Sequence, residues 1–513
     1  MARGCRSEGT GGLAAQITDE VKMMRMCKAA LLTALMLTVG LAAVGAELNV
    51  STSVLARGDW TYDALSMLAA RDHSAGLPSR YFQGDRLLTR VEMAELVARI
   101  VREHGTALSG AERIAVKGLT LDLRAELLAA GMSESELDRA ADVPESESLP
   151  VFTGSLRARR VSNDDDDTFS VYELTTLAPA GPMSFLTGTY TNEAREFRSD
   201  EDPFPRFDKG SYKLLSPKLQ LEIGRNYVRW GPGYSGSMIL SDNSPAFDMV
   251  RFRKDVNFGW VFGRVLIDQF VSSFREFGNR YYVLGRRYEK TLSRQWNLAV
   301  SETAKTRETP NPSILVLPFY AYQELFIDVD PEFNTLYSLD VTYTAGRNAQ
   351  VYLEGLVDDM TAPRILDRDR FRRPRKIGYL LGAYLPDPLK NGRSSLRAEY
   401  VLVDPRTYTA TRTEFPDLEY TRDGLVMGHP IGANGSAVFL RGDYWLCKKA
   451  QLIVEYLNRS PRDSGVANAE DFERLDAYLA YDVRPWASLT ARYVRLRNAG
   501  TDNMLMIGAS ITY

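Results

Sequence analysis

"NMLMIGASITY", Asn503 to Tyr513, is the stretch on which the fold turns. Leu505, Ile507, Ala509, Ile511 and Tyr513 fall on one side of a period-two run, and the chain stops on an aromatic residue. A strand sends successive side chains to opposite faces, so this segment has one continuous apolar face. Alternation by itself shows only that one face is covered. Whether that face meets a protein core or lipid depends on the rest of the chain.

The same pattern recurs upstream. In "KLQLEIG" Leu219, Leu221 and Ile223 oppose Gln220 and Glu222; in "SLRAEYVLV" Leu396, Ala398, Tyr400 and Leu402 oppose Arg397 and Glu399. "ASLTARY" sets Leu489, Ala491 and Tyr493 against Ser488, Thr490 and Arg492. Turn-like gaps such as "APAGP", "NGRSS" and "VRPWA" separate the runs. A soluble sandwich or solenoid would alternate too. Short segments with tyrosines near their ends, from residue 151 to Tyr513, predict instead an all-β transmembrane barrel of about 16–18 antiparallel strands. The aromatic terminus resembles the signal read by the outer-membrane barrel-assembly machinery, which prefers Phe and accepts Tyr. That resemblance implies outer-membrane lipid as surroundings and the assembly machinery as a partner through Tyr513.

The front of the chain agrees with export. Lys22, Arg25 and Lys28 precede the apolar run "AALLTALMLTVGLAAV", and small residues end at Ala46 before Glu47. Residues 1–46 read as a signal-peptide region with an over-extended start. An N-terminal membrane anchor is the other reading of that run. Of three cysteines, Cys5, Cys27 and Cys447, the exported chain would keep one, so no disulfide forms within it. Without a C-x-x-C pair, and with His73, His104 and His429 scattered, no metal or cofactor is expected. A formal net charge of −3 gives no electrostatic case for nucleic acid.

Between residue 47 and the barrel the period is helical. "WTYDALSMLAA" puts Tyr62, Leu65, Leu68 and Ala69 on one face, and "TRVE" is a capping box in which Thr89 caps and Glu92 reaches back. Within residues 47–105, "DWTYDALSMLAA…GLPSRYFQGDRLLTRVEMAELVARI", Asp59 to Ile100, resembles one S-layer homology domain. The resemblance implies binding of peptidoglycan or a secondary cell-wall polymer, with Arg90 on the anionic ligand, Trp60 and Gly84 shaping the pocket, and Thr89 and Glu92 completing the motif. The plainer reading of Arg90 is the solvated first residue of a capped helix. Residues 106–150 read as a helical linker.

One internal segment exceeds what a turn requires. "RNYVRWGPGYSGSMILSDNSP" ends a strand at Arg225 and then concentrates Gly and Pro around Trp230. Its Trp230-Gly231-Pro232-Gly233 and Ser241-Asp242-Asn243 runs resemble the capsule assembly protein Wzi family. So does "GLVMGHPIGANGSAVFLRGDYW", with Gly428-His429-Pro430-x-Gly432. The resemblance spans most of residues 151–513. It implies an outer-membrane barrel with periplasmic helices, non-enzymatic, that attaches surface polysaccharide. The loop would plug or line the lumen. Its indole, amides and carboxylate suit sugar contact, and a purely structural plug fits equally.

Two charged runs, "NDDDD" from Asn163 and "RILDRDRFRRPRK" from Arg364, read as solvated turns or as sites for cations and acidic polymer respectively. The functions in contention are a wall-tethered barrel that binds or organises capsular-type polysaccharide, a peptidoglycan-tethered porin for small solutes, and a hydrolase. The hydrolase would need His429 with Ser436 and Asp443, in a setting that reads as a turn. The localisation expected is the outer membrane, with the N-terminal domain in the periplasm.

Overall fold

The computed structural model describes residues 49–513 except 74–75, 84–85, 106–107, 109, 143–152, 164–167, 182, 192–205, 217–218, 260–262, 277, 311–321, 323–332, 347, 359–375, 411–415, 464–470 and 499. The leader, Gly84, the acidic run after Asn163 and nearly all of the basic run lie outside the described residues.

The alternating segments are strands, and they turn their apolar faces outward. Leu505, Ile507 and Ile511 are 49%, 62% and 49% exposed, whereas Glu222, Arg397 and Glu399 are buried. This inversion of the soluble pattern is what a lipid-facing belt requires. Eighteen antiparallel strands close on themselves. The first, Thr153–Asn163, pairs with the last, Thr501–Thr512, from Ser155 opposite Thr512 to Asn163 opposite Met504. Closure leaves no open edge. Among the described residues no helix is long and apolar enough to cross a membrane.

The rim that carries both barrel termini, here the proximal rim, has only short connections. Longer ones sit at the distal rim, including 227–246 and 404–434. That asymmetry, short turns on one side and long loops on the other, is usual for outer-membrane barrels.

Five helices precede the barrel: α1 (Trp60–Ala70), α2 (Arg90–His104), α3 (Gly110–Asp122), α4 (Arg124–Ala129) and α5 (Glu134–Ala141). The capping box of α2 is present, with Thr89 Oγ1 accepting from the Glu92 amide at 3.2 Å and the Thr89 amide donating to Glu92 Oε2 at 2.8 Å. The stretch expected as a linker supplies α3–α5 to the same core. Leu65, Leu68, Met93 and Val97 pack there with Ile114, Leu119, Leu127 and Leu137. Two helices alone bury too little apolar surface, so the later three complete the body. Leu177, Phe185 and Leu215, near the proximal ends of their strands, join this core, which seats the helices in the barrel mouth. Gly118 permits the closest approach: a Cβ there would run into the rings of Phe185 and Trp60.

Candidate functional site

The Trp230 loop leaves the distal rim and folds into the lumen. Two buried carboxylates on barrel strands hold its backbone. Glu354 accepts from the amides of Gly233 (2.6 Å) and Met238 (2.7 Å). Glu399 accepts from the amides of Tyr234 (2.5 Å) and Ser235 (2.8 Å) and from the Tyr352 hydroxyl (2.5 Å). Buried carboxylates stay in a lumen only when so partnered. Gly231 has a φ of +136°, and a side chain there would collide with the Glu354 carboxylate, which explains the glycine. Trp230 lies against the wall, 2% exposed, donating from Nε1 to Asp268 at 3.1 Å and meeting Phe270 edge-on. Arg229 ties the loop to itself, to Asp242 Oδ1 at 2.6 Å and to the carbonyls of Gly233 and Tyr234.

The second motif packs on the first. Tyr408 donates to the Met238 carbonyl at 2.5 Å, Ser241 donates through its amide to the Met427 carbonyl at 2.8 Å, and Asn243 Nδ2 reaches the Val426 carbonyl at 2.9 Å. The Ser235 hydroxyl lies 3.2 Å from His429 Nε2. Gly428 and Gly236 both stand where a Cβ would collide, the first with the Met238 carbonyl and Tyr408, the second with Pro430 and His429. The two motifs, nearly two hundred residues apart in sequence, thus form one inward-folded plug.

From the other rim the N-terminal segment enters. Val50 is held by Thr291 and Asn297, and Ser51 and Thr52 bond Glu289. The segment then reaches the loop: the Val54 amide donates to the Gly231 carbonyl at 3.2 Å, and the Arg57 amide to Asp242 Oδ2 at 3.0 Å. Burial would raise the Asp242 carboxyl, but Arg229 and Arg57 overcome it and hold it at about 2.

The residues matched to the wall-binding motif sit in the seam between helices and barrel. Arg90 is 4% exposed; its guanidinium donates to Glu126 Oε1 at 2.8 Å and to the Asp122 side chain at 3.0 Å. Asp122 also accepts from Trp60 Nε1 at 2.6 Å and meets Lys213 of the barrel at 3.1 Å. Burial works against its charge, yet Lys213 and Arg90 keep its carboxyl far below the usual range. Trp60 stacks on Phe185 with centroids 4.4 Å apart. Glu92 faces Arg86 at 3.2 Å and Arg397 of the barrel at 3.9 Å. Trp60, Thr89, Arg90 and Glu92 are therefore together, though as internal contacts of the seat.

Beside the plug a cavity of about 1170 Å³ runs along one wall. It extends from Thr191, Phe472 and Asn498 near the distal rim to Thr153 and Thr512 near the proximal one. Ser241, Asp242 and Asn243 line it from the loop, and His429, Pro430 and Gly432 from the second motif. Trp230, Gly231, Pro232 and Gly233 do not line it. The Trp230 loop thus divides: Trp230 to Gly233 anchor the plug, and Ser241 to Asn243 face the space. Arg225 belongs to neither, pairing with Asp248 at 2.7 Å on a half-exposed strand.

The profile described as "Capsule assembly protein Wzi" matches residues 152–499. The chain belongs to that family. Among solved structures, the Escherichia coli outer-membrane protein Wzi, described as a carbohydrate-binding β-barrel involved in group 1 capsule assembly, is 13% identical with a TM-score of 0.55. The match covers 90% of this chain and 99% of that one. At that identity the likeness is one of fold. Acinetobacter baumannii OccAB4 (7% identity, TM-score 0.43, 71% and 99% covered) and Pseudomonas aeruginosa OccK11 (12%, 0.42, 71% and 96%) are more distant. No curated protein matches the chain.

For a member of this family the hydrolase residues are instructive. His429 is buried, and burial with Arg229 nearby pushes its imidazole down to about 3. Ser436 donates instead to the Ser460 carbonyl, and Asp443 is engaged by Arg441 (2.8 Å) and Ser395 (2.9 Å). Among the described residues no group of three metal-ligating side chains converges. Sequence reasoning missed Glu354 and Glu399 as loop anchors. Their signal was present, since each occupies an inward position of an alternating strand.

Proposed function

We propose that this chain is a non-enzymatic outer-membrane barrel that binds or organises surface polysaccharide of the capsular type, its distal rim extracellular and its helices periplasmic. The single observation that carries this reading is the large side cavity, lined by polar and apolar groups alike, beside a loop and an N-terminal segment that meet inside the lumen. Hydroxyl-matching groups (Ser241, Asp242, Asn243) and aromatic surfaces (Tyr478, Phe472) line that space, the mixture that suits sugars. Membership of the capsule assembly family supports it, as does the carbohydrate binding ascribed to the Escherichia coli relative. Tyr513 serves in this reading as the terminal residue read during assembly. A wall-polymer site at Arg90 would need the helices to leave the barrel mouth; we therefore assign Trp60, Thr89, Arg90 and Glu92 to seating the helices.

The test is binding of extracted surface polysaccharide to the purified mature chain in detergent. Retention on a polysaccharide column, reduced by Asp242→Ala with Asn243→Ala, is expected. Unretained wild-type protein that instead conducts small solutes steadily would replace this reading with a porin.

A further inference from the structure

A second, smaller cavity lies where the N-terminal segment, the plug and the helical seat meet the barrel wall. Its volume is about 50 Å³. Ser53 lines it from the segment, Trp230 from the plug, Arg90 from the seat, and Gln220, Arg253 and Asp268 from three neighbouring strands. Among the described residues it shares no lining residue with the large cavity.

Arg253 is the side chain this space singles out. It sits on the strand Phe247–Asn257, between Gln220 and Asp268 in the register. Its Nε is buried and has no hydrogen-bond partner among the described residues. The carboxylates around it are committed elsewhere. Asp268, directly opposite, accepts from Arg251 at 2.6 and 2.9 Å and from Trp230 at 3.1 Å. Glu126 accepts from Arg90 at 2.8 Å and from the Ser51 amide at 3.3 Å. Asp122 meets Lys213 at 3.1 Å and Arg90 at 3.0 Å. The remaining carboxylates on the cavity wall are engaged as well: Glu222 by Ser211 and Asn226, Glu289 by Ser51 and Arg287, Asp59 by Thr61.

A guanidinium cannot escape burial by giving up its proton. A buried charge without a partner is costly, and Arg90, of like sign, is among the charges that act on Arg253. Water in the cavity would accept from Nε without supplying charge. A small anion does both. Ser53 Oγ accepts from Arg287 at 3.1 Å, which leaves its own hydrogen for an acceptor in the space. The volume has room for a halide and water, and none for a sugar ring.

We propose that this cavity is a halide site, in which chloride accepts from Arg253 Nε and the Ser53 hydroxyl and clamps the N-terminal segment to the barrel wall. The site is independent of the polysaccharide reading.

The wild-type mature chain, crystallised from detergent in sodium bromide, gives one half of the test, because bromide is located by its anomalous scattering. The other half is the thermal midpoint, read by heat-modifiable migration as chloride replaces gluconate at constant ionic strength. A bromide peak in the cavity, at hydrogen-bonding distance from Arg253 Nε, is expected. The midpoint should climb by about 1–2 °C for each tenfold rise in chloride, since gluconate is too large to enter. Arg253→Gln should lose both the peak and the chloride dependence. Water alone in the wild-type cavity, or one midpoint in both anions, overturns the site. A peak that persists in Arg253→Gln overturns the assignment to this guanidinium. Should the variant fail to fold, the wild-type peak and midpoints still decide.

Discussion

The amide of Val54 donates to the carbonyl of Gly231 at 3.2 Å, inside the barrel. One residue belongs to a segment that enters at the proximal rim, the other to a loop folded in from the distal rim. Their meeting divides the lumen into a filled part and a side cavity, and most consequences below follow from it.

Gly231→Ala places a methyl group against the Glu354 carboxylate in a backbone region that L-residues avoid. The cost is about 1–3 kcal/mol of local strain. Thermal unfolding followed by heat-modifiable gel migration should show a lower midpoint for the variant. An unchanged midpoint would mean that the loop is not held at Gly231.

Arg90→Ala leaves Asp122 and Glu126 buried beside a lost partner. Breaking a buried pair in this way costs about 3–5 kcal/mol. Seating predicts that protease cuts the helices of the variant while the barrel stays intact. A wall-contact role predicts the reverse: unchanged protease resistance and lost binding to sacculi.

Acid should loosen the loop through Asp242. Its carboxyl, ordinarily at 3.8, is held at about 2 in the folded state. A depressed carboxyl stabilises fully above its unfolded value and loses that contribution as pH falls from about 4 towards 2. The shift corresponds to about 2 kcal/mol. Asp242→Asn should remove this part of the acid transition and show a lower midpoint at pH 7. A variant whose acid transition superimposes on wild type would contradict the role given to the Arg229 and Arg57 contacts.

How much of this was legible beforehand varied with the kind of constraint. The barrel was, because Leu505, Ile507 and Ile511 give by period one continuous apolar face, and the recurrence of that pattern with the aromatic Tyr513 told a membrane barrel from a sandwich. The plug was half legible: Gly231 and Gly428 marked backbone control, but only register and closure reveal that their loops meet. Arg90 was read as a ligand contact because a motif gives spacing and not surroundings. Its carboxylate partners, Asp122 and Glu126, lie over thirty residues away on helices that were read as a linker.

Tyr513 closes the barrel as well as ending the chain, exchanging backbone bonds with Gly154 at 2.9 and 3.2 Å. Its deletion should slow assembly in cells and leave more heat-labile, protease-sensitive chain. Refolding in detergent should be affected less, because the assembly machinery is absent there. Equal yields in cells would show that the terminal residue is not read.

The most direct measurement is single-channel conductance of the refolded chain from Glu47 in a planar bilayer, beside a version lacking residues 231–243. A filled lumen predicts that the intact barrel is closed to ions or nearly so, and that the deletion conducts in steady, large steps. Steady conductance of the intact barrel, unchanged by the deletion, would contradict the plug and make the protein a porin.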